Sequence, residues 1–416
     1  MEKTDTGADS KGAGRRPNSI DTDSCIKLFY IYLEYLIGNA GSSMTWPVTS
    51  LYVHNYLHQS FFVTGIVLMM GSIVSMLASW LAGFLFDRWH PFSSFLISLV
   101  LAFAGSIMIF FIHDWPYYVF WLLLLNIGVG MFQTLINSYG SISSFRDPKS
   151  FFSNMAIMLN VGTVIGTFFG TWIFDRLGIR GSVLLAAFFY VLMFVIAISF
   201  FNRKIAKPVI SSENIKKSKR TKNSRLNYPP LLLSIGALTM MTYLTYQFWE
   251  TVMSPHMVSL GMTVEQYGYL WTINGIIIIL FQNLVTKITS KWSLSKSVTI
   301  GTFIFSLTFP PLIWADRFWQ MVIITVILVF GEMLFSPGTT AWVSRIVPSN
   351  FQGQGMAFIS ASISLGRAVG PIYAGIFMDK GWVAPLFISS FVILVALDLL
   401  VFLMSKRDSN SYKPEL

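Results

Sequence analysis

Cysteine is nearly absent from this chain. Cys25 is the single one among 416 residues, so no intrachain disulfide can form. Charge is also scarce. Asp, Glu, Lys and Arg together make up 12% of the residues, where a soluble protein of this size carries about 25%. So little polar surface cannot cover a water-facing exterior, which excludes an ordinary soluble globule. Acid is scarcer than base: 19 carboxylates stand against 29 Lys and Arg, for a net charge of +10. The five histidines (His54, His58, His90, His113 and His256) fall at the ends of apolar runs. His54 and His58 are four apart, but their stretch offers no third metal ligand. No Gly-x-x-x-x-Gly-Lys-Ser/Thr phosphate loop is present, which excludes direct ATP hydrolysis by that device, and no catalytic constellation stands out. Neither a cofactor nor a metal is expected, and the chain does not read as an enzyme.

Apolar sequence dominates what remains. Hydrophobic residues are 54% of the chain and the mean hydropathy is +0.62. Runs of membrane-spanning length recur near 28–51, 61–86, 93–112, 117–141, 152–174, 182–202, 230–254, 265–287, 297–314, 318–341, 354–378 and 383–404. Each can cross about 30 Å of hydrocarbon as a helix. Barrel strands would alternate polar and apolar residues, and these runs do not. The expectation is an all-α membrane protein with twelve transmembrane helices.

Orientation follows from the basic residues. With the N-terminus inside, the inner loops hold Arg88, Arg146, Lys149, Lys287, Lys291, Lys296 and Arg345. The outer loops hold only Arg176, Arg180, Arg317 and Lys380. The positive-inside rule then places both termini in the cytoplasm of a cell-membrane protein. Residues 1–25 are polar and read as a disordered tail, since no apolar segment or cleavage box precedes Cys25. The one large interruption is 203–229, with Lys204, Lys207, Lys216, Lys217, Lys219, Arg220, Lys222 and Arg225 against Glu213. It reads as a basic cytoplasmic linker facing acidic lipid, in preference to a nucleic-acid arm. The chain thus divides into a tail (1–25), a first bundle (26–202), a linker (203–229), a second bundle (230–405) and a second tail (406–416).

Internal repetition supports two six-helix halves. Gly162, Gly166 and Asp175 stand at the same offset from Gly366, Gly370 and Asp379, and each aspartate is followed by a base, Arg176 or Lys380. Gly162, Gly166 and Gly170 share one helix face, as do Gly366 and Gly370 before Pro371, which suits close helix packing.

The second run ends Gly83-Phe84-Leu85-Phe86-Asp87-Arg88. Gly83 permits close helix approach, and Asp87 with Arg88 can form charge-assisted contacts that close the cytoplasmic side. Here the chain resembles the major facilitator superfamily, whose signature at this place is Gly-x-Leu-x-Asp-Arg. His90-Pro91 departs from the family's continuation, Thr167 replaces the proline of the antiporter pattern, and Leu124 stands where proton-coupled relatives carry an arginine. Gly331-Glu332 followed by Pro337 is similar to the tenth span of bacterial twelve-span multidrug:proton antiporters. That resemblance implies alternating access, with protons as coupling ion and efflux of lipophilic, cationic compounds.

Several polar residues inside apolar runs are candidates for this work. A carboxylate at the bilayer centre costs about 2.5–3.5 kcal/mol on insertion scales, so Glu332 reads as a proton-coupling residue. Glu34 and Glu250 are further candidates. Arg367 must face the cavity and find an acid such as Glu332, or bind an anionic substrate. Tyr243, Tyr246, Gln247 and Glu250 share a helix face that suits a lipophilic cation, although an aromatic belt would also produce the pattern. Gln133 and Asn137 either line the cavity or bond a neighbouring helix. Asp398 is expected to pair with Lys406 or Arg407. Two other readings stay open: a symporter importing a sugar, carboxylate or peptide, and a non-transporting membrane sensor. The expected partners are a small-molecule substrate, protons and the lipid bilayer, with no nucleic acid; the sequence leaves the oligomeric state open, and a monomer is compatible with it.

Overall fold

The computed structural model describes residues 27–143, 148–202, 230–347 and 351–411, and among them the chain is entirely helical and irregular, without strands. The tail containing Cys25, Arg146, the whole 203–229 linker and the final residues lie outside the described part, as do the side chains of Lys149 and Arg407.

Among the described residues thirteen α-helices follow in order. The first apolar run is α1 (Leu28–Ser43) and α2 (Trp46–Leu51), continued by a π-helical turn at Tyr52–Tyr56. Next come α3 (Phe61–Arg88), α4 (Pro91–Phe111), α5 (Tyr117–Ser143) and α6 (Pro148–Phe200). The second part holds α7 (Pro230–Thr251), α8 (Met253–Ser259), α9 (Val264–Thr289) and α10 (Leu294–Ser306). It closes with α11 (Phe318–Ile346), α12 (Gln352–Asp379) and α13 (Val383–Ser411). Among the described residues, ten helices are long and apolar enough to cross a membrane. The chain is a multi-pass membrane protein.

The difference from twelve expected spans has a local cause at two places. The first run is broken at Met44-Thr45, so neither piece alone reaches spanning length. The sixth helix is continuous in hydrogen bonding over 53 residues but leaves helical geometry at Gly178, where φ is 64° and ψ −161°. Glycine alone accepts that φ without a Cβ clash. Both ends of α6 meet the same end of α1: Phe151 stacks on Tyr32 and Phe200 on Tyr30. The Ser182 hydroxyl donates to the Gly170 carbonyl oxygen at 2.9 Å across the bend. A straight helix of this length would hold those ends about 80 Å apart. The element is therefore a hairpin of two arms.

Small residues let the helices meet. A Cβ on Gly162 would press on the carbonyl oxygen of Leu36, and one on Gly166 on that of Ala40. On Gly366 and Gly370 it would press on the carbonyl oxygens of Met240 and Leu244. Gly366 stands 204 residues after Gly162, and Met240 stands 204 after Leu36; the other pair keeps the same spacing. Gly170 likewise meets Met44. Two helix pairs, α1 with α6 and α7 with α12, thus pack by one pattern.

The two parts touch most closely at one end. A Cβ on Gly65 of α3 would press on the Pro371 carbonyl, and one on Gly375 on Phe61. Gly268 of α9 meets Thr171 of α6 in the same manner. At the other end of α3, Gly83 is different. A Cβ there would find only the Thr134 methyl, at 3.9 Å, among the described residues. The close approach expected at Gly83 is not formed in this conformation, because the α3–α12 contact lies at the Phe61 end. Asp87 and Arg88 are exposed there, and the Arg88 guanidinium lies 5.4 Å from the Phe84 ring centre.

Orientation is testable at exposed serines on opposite ends, Ser60 before α3 and Ser290 after α9. On a Cys25→Ala background, Ser60→Cys is expected to react with an impermeant thiol reagent in whole cells. Ser290→Cys should react only in everted vesicles. The reverse pattern would turn the topology over.

Candidate functional site

A cavity of about 280 Å³ lies between the two parts of the chain. One wall comes from α1, α2, α3 and α5, through Ser42, Thr49, Ser72 and Asn126; the other comes from α7, through Gln247 and Glu250. Trp46 also lines it and meets Trp271 of α9 edge to face, with ring centres 4.7 Å apart. The Ser50 hydroxyl donates to the Glu250 carbonyl oxygen at 3.2 Å, tying α2 to α7. Glu250 is the one ionisable residue of the lining among the described residues. Gln247 Nε2 donates to its Oε2 at 2.9 Å and holds the carboxylate in place. The end of α7 therefore delivers a carboxyl group into a cavity otherwise walled by hydroxyls, amides, a tryptophan ring and aliphatic carbon.

Glu332 sits behind this wall, on α11. Its Oε2 accepts from the Tyr246 hydroxyl and from Asn274 Nδ2, each at 3.4 Å. Tyr246 itself is buried among Phe305 and Trp271. Neighbouring residues of one helix thus reach the two carboxylates: Tyr246 touches Glu332, and Gln247 touches Glu250. The Arg367 guanidinium lies 5.2 Å from the Tyr243 ring centre, as a cation–π contact. A direct Glu332–Arg367 salt bridge is not formed; the one salt bridge among the described residues joins Arg176 to Glu265 at 3.7 Å. The reason is spatial: Tyr246 and Asn274 hold the Glu332 carboxylate, while the Tyr243 ring holds the arginine. The Tyr243 hydroxyl lies 3.4 Å from Ser336 Oγ.

The other candidates separate from this cluster. Glu34 is fully buried in α1, and neither of its oxygens has a hydrogen-bond partner among the described residues. Gln133 Nε2 donates to Asn39 Oδ1 at 3.0 Å, bonding α5 to α1, and Asn137 donates to the Gln133 carbonyl. Neither lines the cavity. Asp398 is buried, its Oδ1 without a hydrogen-bond partner among the described residues, and Lys406 lies over the Phe402 ring. Thr167, at the place of the antiporter proline, donates to the Thr163 carbonyl of its own helix.

Sequence reasoning missed Asn274, Trp46 and the hydroxyl wall. Asn274 had a signal: it is a lone amide in the apolar stretch Trp271-Thr272-Ile273-Asn274-Gly275. The serines and threonines had none, since such residues bond their own helix in most apolar spans.

The model of the major facilitator superfamily matches residues 31–293 and 237–415, which together take in both parts of the chain. The chain belongs to the major facilitator superfamily. This is a family of transporters, and the chain reads as a transporter and not an enzyme. It is 29% identical to the uncharacterized MFS-type transporter YttB of Bacillus subtilis, over 91% of this chain and 94% of that one. It is 21% identical to the multi-drug resistance efflux pump PmrA of Streptococcus pneumoniae, over 82% and 86%. Among solved structures, a POT family transporter in complex with 5-aminolevulinic acid superposes with a TM-score of 0.74 at 15% identity, over 93% and 99% of the chains. That likeness concerns the fold.

Proposed function

We propose that this major facilitator is a secondary active exporter that exchanges lipophilic cationic compounds for protons. In this reading the α6 hairpin counts as two spans and α1 with α2 as one. The result is twelve crossings in two six-helix repeats, with both termini and the 203–229 linker in the cytoplasm. The two repeats rock about the cavity between them. Glu250 receives the positive charge of the substrate, and aromatic rings around it supply apolar and cation–π contact. Glu332 carries the proton. The observation that supports this most directly is the pair of carboxylates reached by Tyr246 and Gln247, one facing the cavity and one behind it. The multi-drug efflux pump PmrA among the relatives agrees with it.

A second reading has its own support. Ser42, Thr45, Thr49, Ser72 and Ser75 line the cavity, and a hydroxyl-rich wall suits a small polar metabolite moved with protons.

Everted vesicles separate the two. With the lumen made acidic, a lipophilic cationic dye is expected to accumulate inside, and its entry should release luminal protons. Vesicles that neither concentrate dye nor release protons with it, yet move protons on adding a sugar, carboxylate or peptide, would overturn the export reading and favour the second.

A further inference from the structure

Two aspartates bridge the parts of the chain at the Phe61 end. Asp379, the last residue of α12, accepts from the first two backbone amides of α3: Phe61 N to Oδ1 at 2.7 Å and Phe62 N to Oδ2 at 2.9 Å. Asp175, in α6 just before the bend, accepts from the Glu265 amide at the start of α9, Oδ2 at 2.7 Å. Asp379 stands 204 residues after Asp175, and Glu265 stands 204 after Phe61. Donor and acceptor therefore exchange sides under one sequence offset. In one bridge the acid comes from the first part and the amide from the second; in the other the assignment is reversed.

The chemistry favours both contacts. The first amides of a helix have no partner inside it, and the macrodipole is positive there, so a carboxylate is stabilised on both counts. The helices behind each contact are also in close touch, at Gly65 with Pro371 and at Gly268 with Thr171. Arg176 adds its salt bridge to Glu265 beside one of them. At the far end of α3 no such close touch meets Gly83 among the described residues.

We infer that Asp175 and Asp379 are matched positioning residues, two latches that hold the Phe61 end of the transporter closed in the state seen here and must release together for that end to open. This rests on the alternating-access reading. Each latch spans the plane along which the two parts separate. A helix start that loses its carboxylate in the open state exchanges it for water, so the latch biases the equilibrium and does not lock it.

Accessibility reads the latch without knowledge of any substrate. Ser72 lines the cavity and is exposed to it. Ser72→Cys on a Cys25→Ala background is labelled with an impermeant thiol reagent, added to whole cells and separately to everted vesicles. Asp175→Ala and Asp379→Ala should each raise labelling from the Phe61 side about tenfold, and the double variant about a hundredfold if the latches act independently. Labelling from the opposite side should stay level or fall. Asp→Asn keeps one acceptor oxygen without the charge, and should fall between wild type and Ala; it also decides the matter if the Ala variants do not reach the membrane. Wild-type labelling in the double variants, or an equal rise from both sides, would overturn the proposal. If no substrate is ever transported but labelling rises from one side, the latches stand and the export reading fails alone.

Discussion

Glu332→Gln is expected to abolish accumulation against a gradient while leaving exchange down a gradient largely intact. Exchange of one proton for one cation converts a pH difference into a concentration difference. A one-unit pH gradient is worth about 1.4 kcal/mol and sustains about a tenfold ratio of substrate. That conversion requires a group that is protonated facing one side and deprotonated facing the other. Gln keeps the shape of Glu332 and can still meet the Tyr246 hydroxyl and Asn274, but it holds no exchangeable acid. The accumulation ratio in everted vesicles should fall from about ten to about one. Dye equilibration between preloaded vesicles should persist, because the cavity and Glu250 are untouched. Time courses of dye uptake, with and without an imposed gradient, measure both. A Glu332→Gln protein that still concentrates dye at the wild-type rate would make Glu332 a structural acid and move the proton role to Glu34 or Glu250.

The surroundings of Glu332 explain what could be read in advance and what could not. An acid inside an apolar run announces itself, because its cost in hydrocarbon has no structural repayment. Its partners do not. Tyr246 and Asn274 lie 86 and 58 positions away in the chain, and only the packing of α7 and α9 against α11 brings them together. The glycine faces were legible for the opposite reason: a four-residue spacing on one helix states that something comes close, and the repeat at Gly366 and Gly370 states that it happens twice. Asp175 and Asp379 were visible as a repeated pair, yet their acceptor role was not, since a backbone amide leaves no mark in sequence. Gly83 shows a further boundary. Its small size was read as close approach, and here it has room for a methyl group. Which end of a rocking transporter is closed depends on a global balance of contacts such as the two aspartate bridges, and no local stretch encodes that.

The Glu250 carboxyl group in the cavity leads to the other large effect. Glu250→Gln is expected to weaken binding of a monovalent cationic dye by about ten- to a hundredfold, and that of an uncharged analogue of equal size by little. A hydrogen bond or contact to a charged group contributes about 1.5–3 kcal/mol, which is the origin of that range. Discrimination follows because Gln preserves volume and hydrogen bonding while removing charge. The Gln247 amide that now donates to Glu250 Oε2 can donate equally to the Gln carbonyl, so the wall should keep its shape. Glu250→Lys should go further and exclude cations outright, since it places a like charge in a cavity of about 280 Å³. Direct titration of purified protein with the dye and its neutral analogue, at fixed pH and ionic strength, measures the split. Equal losses for charged and neutral ligands would show that Glu250 shapes the cavity without reading charge. Tighter binding of an anion by Glu250→Gln would favour the second reading, with Arg367 as the anchor.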